Sequence, residues 1–261
     1  MSTYSLIFSD IDGTLLDSRH RLQPATAARI RELHRAGIPF ILVSSRPPQG
    51  VFPIQEKLDI HAPMVAFGGA LILDEDRTPL WSVCLPSDKV RAVRTAIAAR
   101  WPSVCCTLYT KDRWIVENTS DPWVVLEQAI GDIPPEQADV PDDGVFKMLC
   151  MGEEDIIQKM PALLSQQFPE LCINPSKPTY LEIMDTSASK GGALRKLCAY
   201  LGSNAAQAVA FGDNFNDVDM LEAAGLAVVM GNAPDEVKRL AGFVTADNDH
   251  EGLLQALNRF F

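Results

Sequence analysis

Short apolar runs alternate with helix-length stretches at both ends of this chain, and that alternation admits few folds. Residues 4–9, 38–43 and 64–67 are almost wholly apolar, as strands covered on both faces of a parallel sheet are. Between them, residues 24–36 carry helical spacing and stop at Gly37, and residues 48–58 form a second predicted helix. Residues 71–73 and 80–84 flank an Asp-Glu-Asp-Arg turn and read as a hairpin. The alternation resumes later, with helices predicted over 189–200, 218–223, 234–241 and 250–260 and strands over 207–211, 226–229 and 242–245. Such a pattern predicts an α/β fold built on a doubly wound, mostly parallel, Rossmann-like sheet.

The middle of the chain breaks that rhythm. Helices are predicted over 87–100, 121–130 and 153–167, and strands over 104–109, 114–117, 145–151, 170–174 and 180–184. A Pro- and Asp-rich stretch separates them at 133–144. Strands and helices are mixed here in the α+β manner. The expected organisation is one domain from residues 1–84 and 186–261, with a second, inserted domain over 85–185.

The sharpest chemical feature is Asp10-Ile11-Asp12-Gly13-Thr14, at the end of the first predicted strand. Ligands of open α/β sheets bind beyond the carboxyl ends of strands. Gly13 frees the backbone for a sharp turn there. A second acidic run, Gly212-Asp213-Asn214-Phe215-Asn216-Asp217, also follows a buried strand. Two strand ends that each deliver Asp bring like charges together, which is costly unless they are protonated or a cation neutralises them. A hard divalent ion with oxygen ligands answers that, and magnesium takes one or two carboxylates plus phosphate oxygens. A calcium loop is excluded, because counting from Asp213 puts Phe215, Val218 and Ala224 where ligands and glycine belong. Ser44 and Ser45 follow the second strand, where hydroxyls and N–H groups can hold phosphate near a helix start. Lys190 opens the helix after the insertion and offers a compact positive charge.

These four elements, in this order, resemble the haloacid dehalogenase superfamily, and within it the Cof-type subfamily. The first motif of that family, DxDGT, stands at Asp10 to Thr14. The second is Ser44-Ser45-Arg46, the third Ser189-Lys190-Gly191, and the fourth runs from Gly212-Asp213 to Asn216-Asp217, followed by Met220. The later run Met230-Gly231-Asn232-Ala233 is also similar. The insertion matches the subfamily's α/β (C2-type) cap in position and length. The resemblance implies a magnesium-dependent phosphatase in which Asp10 is the nucleophile and carries an aspartyl phosphate. Asp12 would act as acid and then base. Magnesium would take the side chains of Asp10 and Asp213 and the backbone carbonyl of Asp12. Phosphate would be held by Ser44, Lys190 and Asn216 with the N–H groups of Ile11 and Ser45. Asp217, Thr14 and Arg46 would support them, Asp217 by orienting Lys190 or metal-bound water. The cap would act as a lid that selects the leaving group. Two departures stand out: Ser45 replaces the usual glycine of the second motif, and Gly68-Gly69-Ala70 replaces Asn-Gly-Ala after the third strand.

Composition narrows the partners. The 261 residues carry a formal charge of −11, which argues against nucleic acid or an anionic membrane as the partner. An anion-handling site in such a chain must supply its own positive charge. The start of the chain has no basic segment and no apolar run of signal-peptide length, and the six cysteines show no CxxC spacing. Reduced thiols in a cytoplasmic enzyme are expected. The substrate class implied is a small phosphorylated metabolite: a sugar phosphate, pyridoxal phosphate or flavin-type phosphate. Arg46, His20 and Lys147 are candidates for its recognition. A phosphomutase or phosphotransferase, and a non-catalytic phosphometabolite-binding regulator, remain as alternatives. Oligomeric state leaves no trace in the sequence.

Overall fold

The computed structural model of the protein describes residues 4–129, 133–142 and 144–261. Two compact units emerge: Met1–Arg46 with Val51–Trp81 and Ser189–Phe261, and Pro47–Gly50 with Ser82–Ala188.

In chain order the first unit contributes β1 (Leu6–Ser9), β2 (Phe40–Val43), β3 (Met64–Ala66), β4 (Leu71–Leu73) and β5 (Pro79–Ser82). The second contributes β6 (Cys105–Tyr109), β7 (Trp114–Val116), β8 (Pro135–Gln137), β9 (Lys147–Met151), β10 (Leu171–Lys177) and β11 (Tyr180–Asp185). The chain then returns to the first unit with β12 (Ala208–Gly212), β13 (Leu226–Val229) and β14 (Phe243–Val244).

Among the described residues the first unit holds an eight-stranded sheet in the order β14-β13-β12-β1-β2-β3-β4-β5. It is parallel from β14 to β3 and turns antiparallel at the β3–β4 pair. β1 and β2 are buried at every position, which is why they read as unbroken apolar runs. The helix Pro24–Arg35 buries Thr26, Ala27, Ile30 and Leu33, one stripe at helical spacing, and starts on Pro24, whose missing N–H costs nothing there. Ala193, Leu194 and Leu197 of the helix Lys190–Tyr200 join Phe8, Ile41, Val43 and Ala210 in one apolar core.

Among the described residues the second unit has a six-stranded sheet in the order β10-β11-β9-β6-β7-β8. Its apolar core gathers Val90, Val93 and Ile97 of the helix Ser87–Arg100 with Leu108, Met148, Leu181 and Ile183 of the strands. Three expectations shift here. The helix predicted over 153–167 is two, Glu154–Ile157 and Met160–Gln167. Pro161 lacks an N–H and its ring opposes the carbonyl of residue 157, so the helix restarts there. β8 was hidden in the Pro-rich stretch. Among the described residues it pairs with β7 alone, at the edge of the sheet, where a proline removes no needed donor. The helix predicted over 121–130 spans Pro122–Gln128, and Ile130 lies outside the described residues.

Candidate active site

Register places the motifs. Ser9 at the end of β1 pairs with Leu42 of β2 on one side and Phe211 of β12 on the other, all parallel. The residues that follow these three strands therefore leave the sheet at one edge: Asp10, Ser44 and Asp213. The side chains of Asp10, Asp213 and Asp217 present oxygens within 4.8 Å of one another.

One ammonium serves this acidic group. Lys190 Nζ donates to Asp10 Oδ1 and to Asp217 Oδ1, each at 2.5 Å, and the lysine is only 2% exposed. Ser189 fixes the start of its helix: the Ser189 hydroxyl accepts from the Gly192 N–H, a cap worth about 1 kcal/mol. Asp219 holds the same turn, accepting from the Gly191 N–H at 2.8 Å. Asp217 is fully buried, and its other oxygen accepts from the N–H groups of Asp213 and Asn214 at 3.0 and 3.1 Å. Asp217 thus ties the second acidic loop to the lysine.

Asp213 is held by two neighbours. Thr14 Oγ1 donates to its Oδ1 at 2.7 Å, and Asn232 Nδ2 spans the Gly13 carbonyl (2.9 Å) and Asp213 Oδ2 (3.4 Å). Gly13 is required at this crossing. Its φ is +83°, and a Cβ there would stand 2.8 Å from Asp213 Cγ. Gly13→Ala is therefore expected to displace the Asp213 carboxylate and to weaken thermal stabilisation by a divalent cation, with the cation-free melting temperature as reference. An unchanged cation response would contradict this placement of Asp213.

Asp12 points elsewhere. Arg46 Nε and a terminal guanidinium nitrogen donate to its two oxygens at 2.8 and 2.6 Å, and His20 Nδ1 lies 3.2 Å from one of them. Ser44 is buried, and its hydroxyl accepts from the Arg46 N–H at 3.1 Å. Ile11 is buried, with its carbonyl accepting from Leu15 and Leu16 N–H. Ser45 is half-buried beside Ser44. Asn216 is exposed on the turn Phe215–Asp217, and among the described residues no hydrogen bond joins it to Asp10 or Lys190. Lys147 belongs to the second unit, where it pairs with Glu182 at 3.0 Å.

The electrostatics show what the cluster lacks. Burial pushes the Asp10 carboxyl well above its usual value; Lys190 opposes this, and the Asp217 and Asp213 charges add to it. Burial likewise raises Asp213 to about 6, against the Thr14 hydrogen bond and with help from Asp217. Burial disfavours the Lys190 ammonium, but Asp10 and Asp217 more than reverse that, so it stays charged. Burial would also raise Asp12, yet the Arg46 hydrogen bonds and charge outweigh it and hold the carboxyl low. When all three carboxyls ionise, the one ammonium leaves two negative charges uncompensated, which is why burial raises Asp10 and Asp213. A metal ion with oxygen ligands fits that deficit, and the cluster of Asp10, Asp213 and Asp217 offers the oxygens that could hold one.

The Gly68 departure has a backbone reason. Gly68 has φ +58°, which glycine and asparagine both tolerate, so the loop keeps its shape with either residue. Gly69 has no such freedom: a Cβ there would run into the Ser189 backbone that caps the Lys190 helix.

Comparison with known proteins decides the family. The haloacid dehalogenase-like hydrolase family matches residues 7–257. The chain belongs to that family of hydrolases. It is 39% identical over 259 residues to a candidate phosphatase of Haemophilus influenzae, covering 99% of this chain and 98% of that one. It is 27% identical to the pyridoxal phosphate phosphatase YbhA of Escherichia coli, covering 97% of each. A crystal structure of a haloacid dehalogenase-like hydrolase from Bacteroides thetaiotaomicron superimposes with a TM-score of 0.90 at 25% identity, covering 99% of this chain and 100% of that one. The α/β core and the Cof-type motifs are thus those of the family. Among the described residues, no helix is long and apolar enough to cross a membrane. Three residues that shape the site escaped the motif reading. Asn232 lies in the run Met230–Ala233, Asp219 sits two residues past the fourth motif, and His20 lies in the loop after the first.

Proposed function

We propose that this hydrolase is a magnesium-dependent phosphatase of the cytoplasm that removes phosphate from a small phosphorylated metabolite through an aspartyl phosphate on Asp10. The observation that carries the reading is the meeting of the Asp10 and Asp213 carboxylates beside the buried Lys190 ammonium. The phosphatases among its relatives support the reaction class, and the pyridoxal phosphate enzyme supports a substrate of that size. A sugar phosphate or a flavin-type phosphate fits the same chemistry.

Magnesium, held by Asp10, Asp213 and the backbone carbonyl of Asp12, would neutralise charge on the transferring phosphoryl group. The chain's own groups do the rest. Asp10 attacks phosphorus in line, and Lys190 aims that carboxyl and opposes the burial that disfavours its ionised form. Lys190, Ser44, Asn216 and the N–H groups of Ile11 and Ser45 receive the phosphate oxygens. Asp217 fixes Lys190. Asp12 gives a proton to the leaving oxygen and later takes one from water. In the arrangement above Asp12 is an ionised acceptor clamped by Arg46. An arriving phosphate dianion competes for that guanidinium, and its departure frees Asp12 to take up the proton it must deliver. Residues 85–185 supply the choice of leaving group.

The test is a panel of phosphometabolites assayed for released phosphate over many turnovers, with and without magnesium. Sustained release that needs the metal supports a phosphatase. Phosphate returned to the substrate marks a mutase, and binding without release marks a regulator.

Asp213 gives the reading a pH signature. Its carboxyl is raised from 3.8 to about 6, so the folded chain holds this proton more tightly than the unfolded one. That contribution to stability is full at pH below the unfolded value and is lost as pH rises through the folded one. A cation that accepts the ionised carboxylate offsets the loss. Magnesium should therefore raise the melting temperature more at about pH 7.5 than at about pH 5. Equal gains at both would remove Asp213 as a ligand.

A further inference from the structure

The second unit holds a feature the acidic cluster does not use. β6 and β9 are antiparallel neighbours in the interior of its sheet, and their register sets Cys106 directly opposite Cys150. The two Sγ atoms lie 3.4 Å apart, although the residues are 44 positions apart in sequence. Cys150 belongs to the apolar core on the helix-covered face, and Cys106 packs against that core. Cys150 is fully buried and Cys106 half-buried, so a reagent arriving from solvent meets Cys106 first.

We propose that Cys106 and Cys150 form a modification site, oxidised reversibly to a cross-strand disulfide by a low-molecular-weight disulfide such as oxidised glutathione. Cys106 loses its proton and its thiolate attacks one sulfur of the reagent. The reagent's S–S bond breaks, one small thiolate leaves, and Cys106 carries a mixed disulfide. Cys150 then loses its proton and attacks the Cys106 sulfur, forming the protein S–S bond and expelling the second small thiolate. Two protein thiols are oxidised, one small disulfide is reduced to two thiols, and the two protons pass to those thiols.

Geometry favours this pair over the others. An S–S bond needs about 2.05 Å between sulfurs and a Cβ separation of about 3.5–4.5 Å, and residues directly opposite on antiparallel strands already stand at about 4.5–5.5 Å. The closure is a small approach of two strands that the ladder already joins. Cys105, next to Cys106, points to the opposite face by the alternation of a strand.

Reactivity follows the same order. The hydrogen bond with Cys106 and burial hold the Cys150 thiol well above its usual value, which keeps it inert in the reduced protein. Conversion of Cys106 to a mixed disulfide removes the first of those causes and places an electrophilic sulfur beside Cys150. Burial, with Asp121 nearby, pushes Cys105 up to about 12 and makes it a poor competitor. The cross-link would tie two interior strands of the sheet and restrict the unfolded chain.

The full-length protein is incubated with oxidised glutathione and its peptides are mapped by mass spectrometry without reduction. The expected result is a Cys106–Cys150 cross-link, loss of two of the six thiols, a higher melting temperature and full reversal by dithiothreitol. Cys150→Ser should stop at a stable glutathione adduct on Cys106. Cys106→Ser, at the half-buried position that the fold tolerates more readily, should give neither cross-link nor adduct at Cys150. Wild-type protein that gains adducts at other cysteines while residues 106 and 150 stay unlinked would overturn the proposal, as would an adduct on Cys150 in Cys106→Ser. None of these readings depends on turnover, so they stand or fall apart from the phosphatase activity.

Discussion

Asp10→Asn should bring phosphate release down to the uncatalysed background while leaving the fold intact. Removing a nucleophile from a covalent mechanism costs about 10³-fold or more, and the amide cannot form the acyl phosphate. Stability should move the other way. The Asp10 carboxyl is pushed up by burial and by the charges of Asp217 and Asp213, so its ionised form is a burden on the metal-free protein. An amide of the same shape still accepts from Lys190 through its oxygen but carries no charge. The metal-free variant should therefore melt at or above the wild-type temperature at neutral pH, and magnesium should raise that temperature less than it does in wild type. Phosphate assays and paired melting curves decide the matter. Substantial turnover by the purified variant would end the nucleophile assignment. A large fall in metal-free melting temperature would mean that the Lys190–Asp10 pair stabilises more than carboxylate repulsion costs.

What the sequence made legible was local. Fully apolar runs announced β1 and β2, and acidic residues directly after buried strands announced the sheet edge where Asp10 and Asp213 meet. Lys190 was readable as a positive charge at the opening of the helix that follows the insertion. Long-range pairing was not legible. Nothing in the order of residues says that Arg46 takes both oxygens of Asp12, that Asn232 bridges Gly13 and Asp213, or that Cys106 faces Cys150. Those partners are set by strand register and loop direction, which packing fixes after local structure has formed. Errors of element had local causes as well. Pro161 restarted a helix that apolar spacing had run together, and β8 sat among prolines that only an edge strand accommodates.

Lys190→Met should be the most damaging single change to stability in the first unit. The ammonium is 2% exposed and contacts two buried carboxylates at 2.5 Å each. Methionine fills a similar volume but leaves Asp10 and Asp217 facing each other and Asp213 with no cation nearby. Breaking a buried ion pair by removing one partner costs about 3–5 kcal/mol, because the remaining charge is buried alone. For a chain of this size that is a fall of roughly 6–20 °C in melting temperature. The sign of the pH dependence follows from the survivors. Without Lys190 the Asp10 carboxyl, already raised by burial, loses the charge that opposes the rise and goes up further, so the folded variant holds its proton more tightly than wild type does. The deficit is then greatest at neutral and alkaline pH and shrinks as acid neutralises Asp10. Lys190→Arg should not restore stability, since a planar guanidinium cannot occupy the volume of a compact ammonium between two close oxygens. Melting curves of both variants from about pH 5 to about pH 8 carry the test. A loss in Lys190→Met that is small, or that does not change across that range, would show that the acidic cluster is stabilised by something other than this lysine.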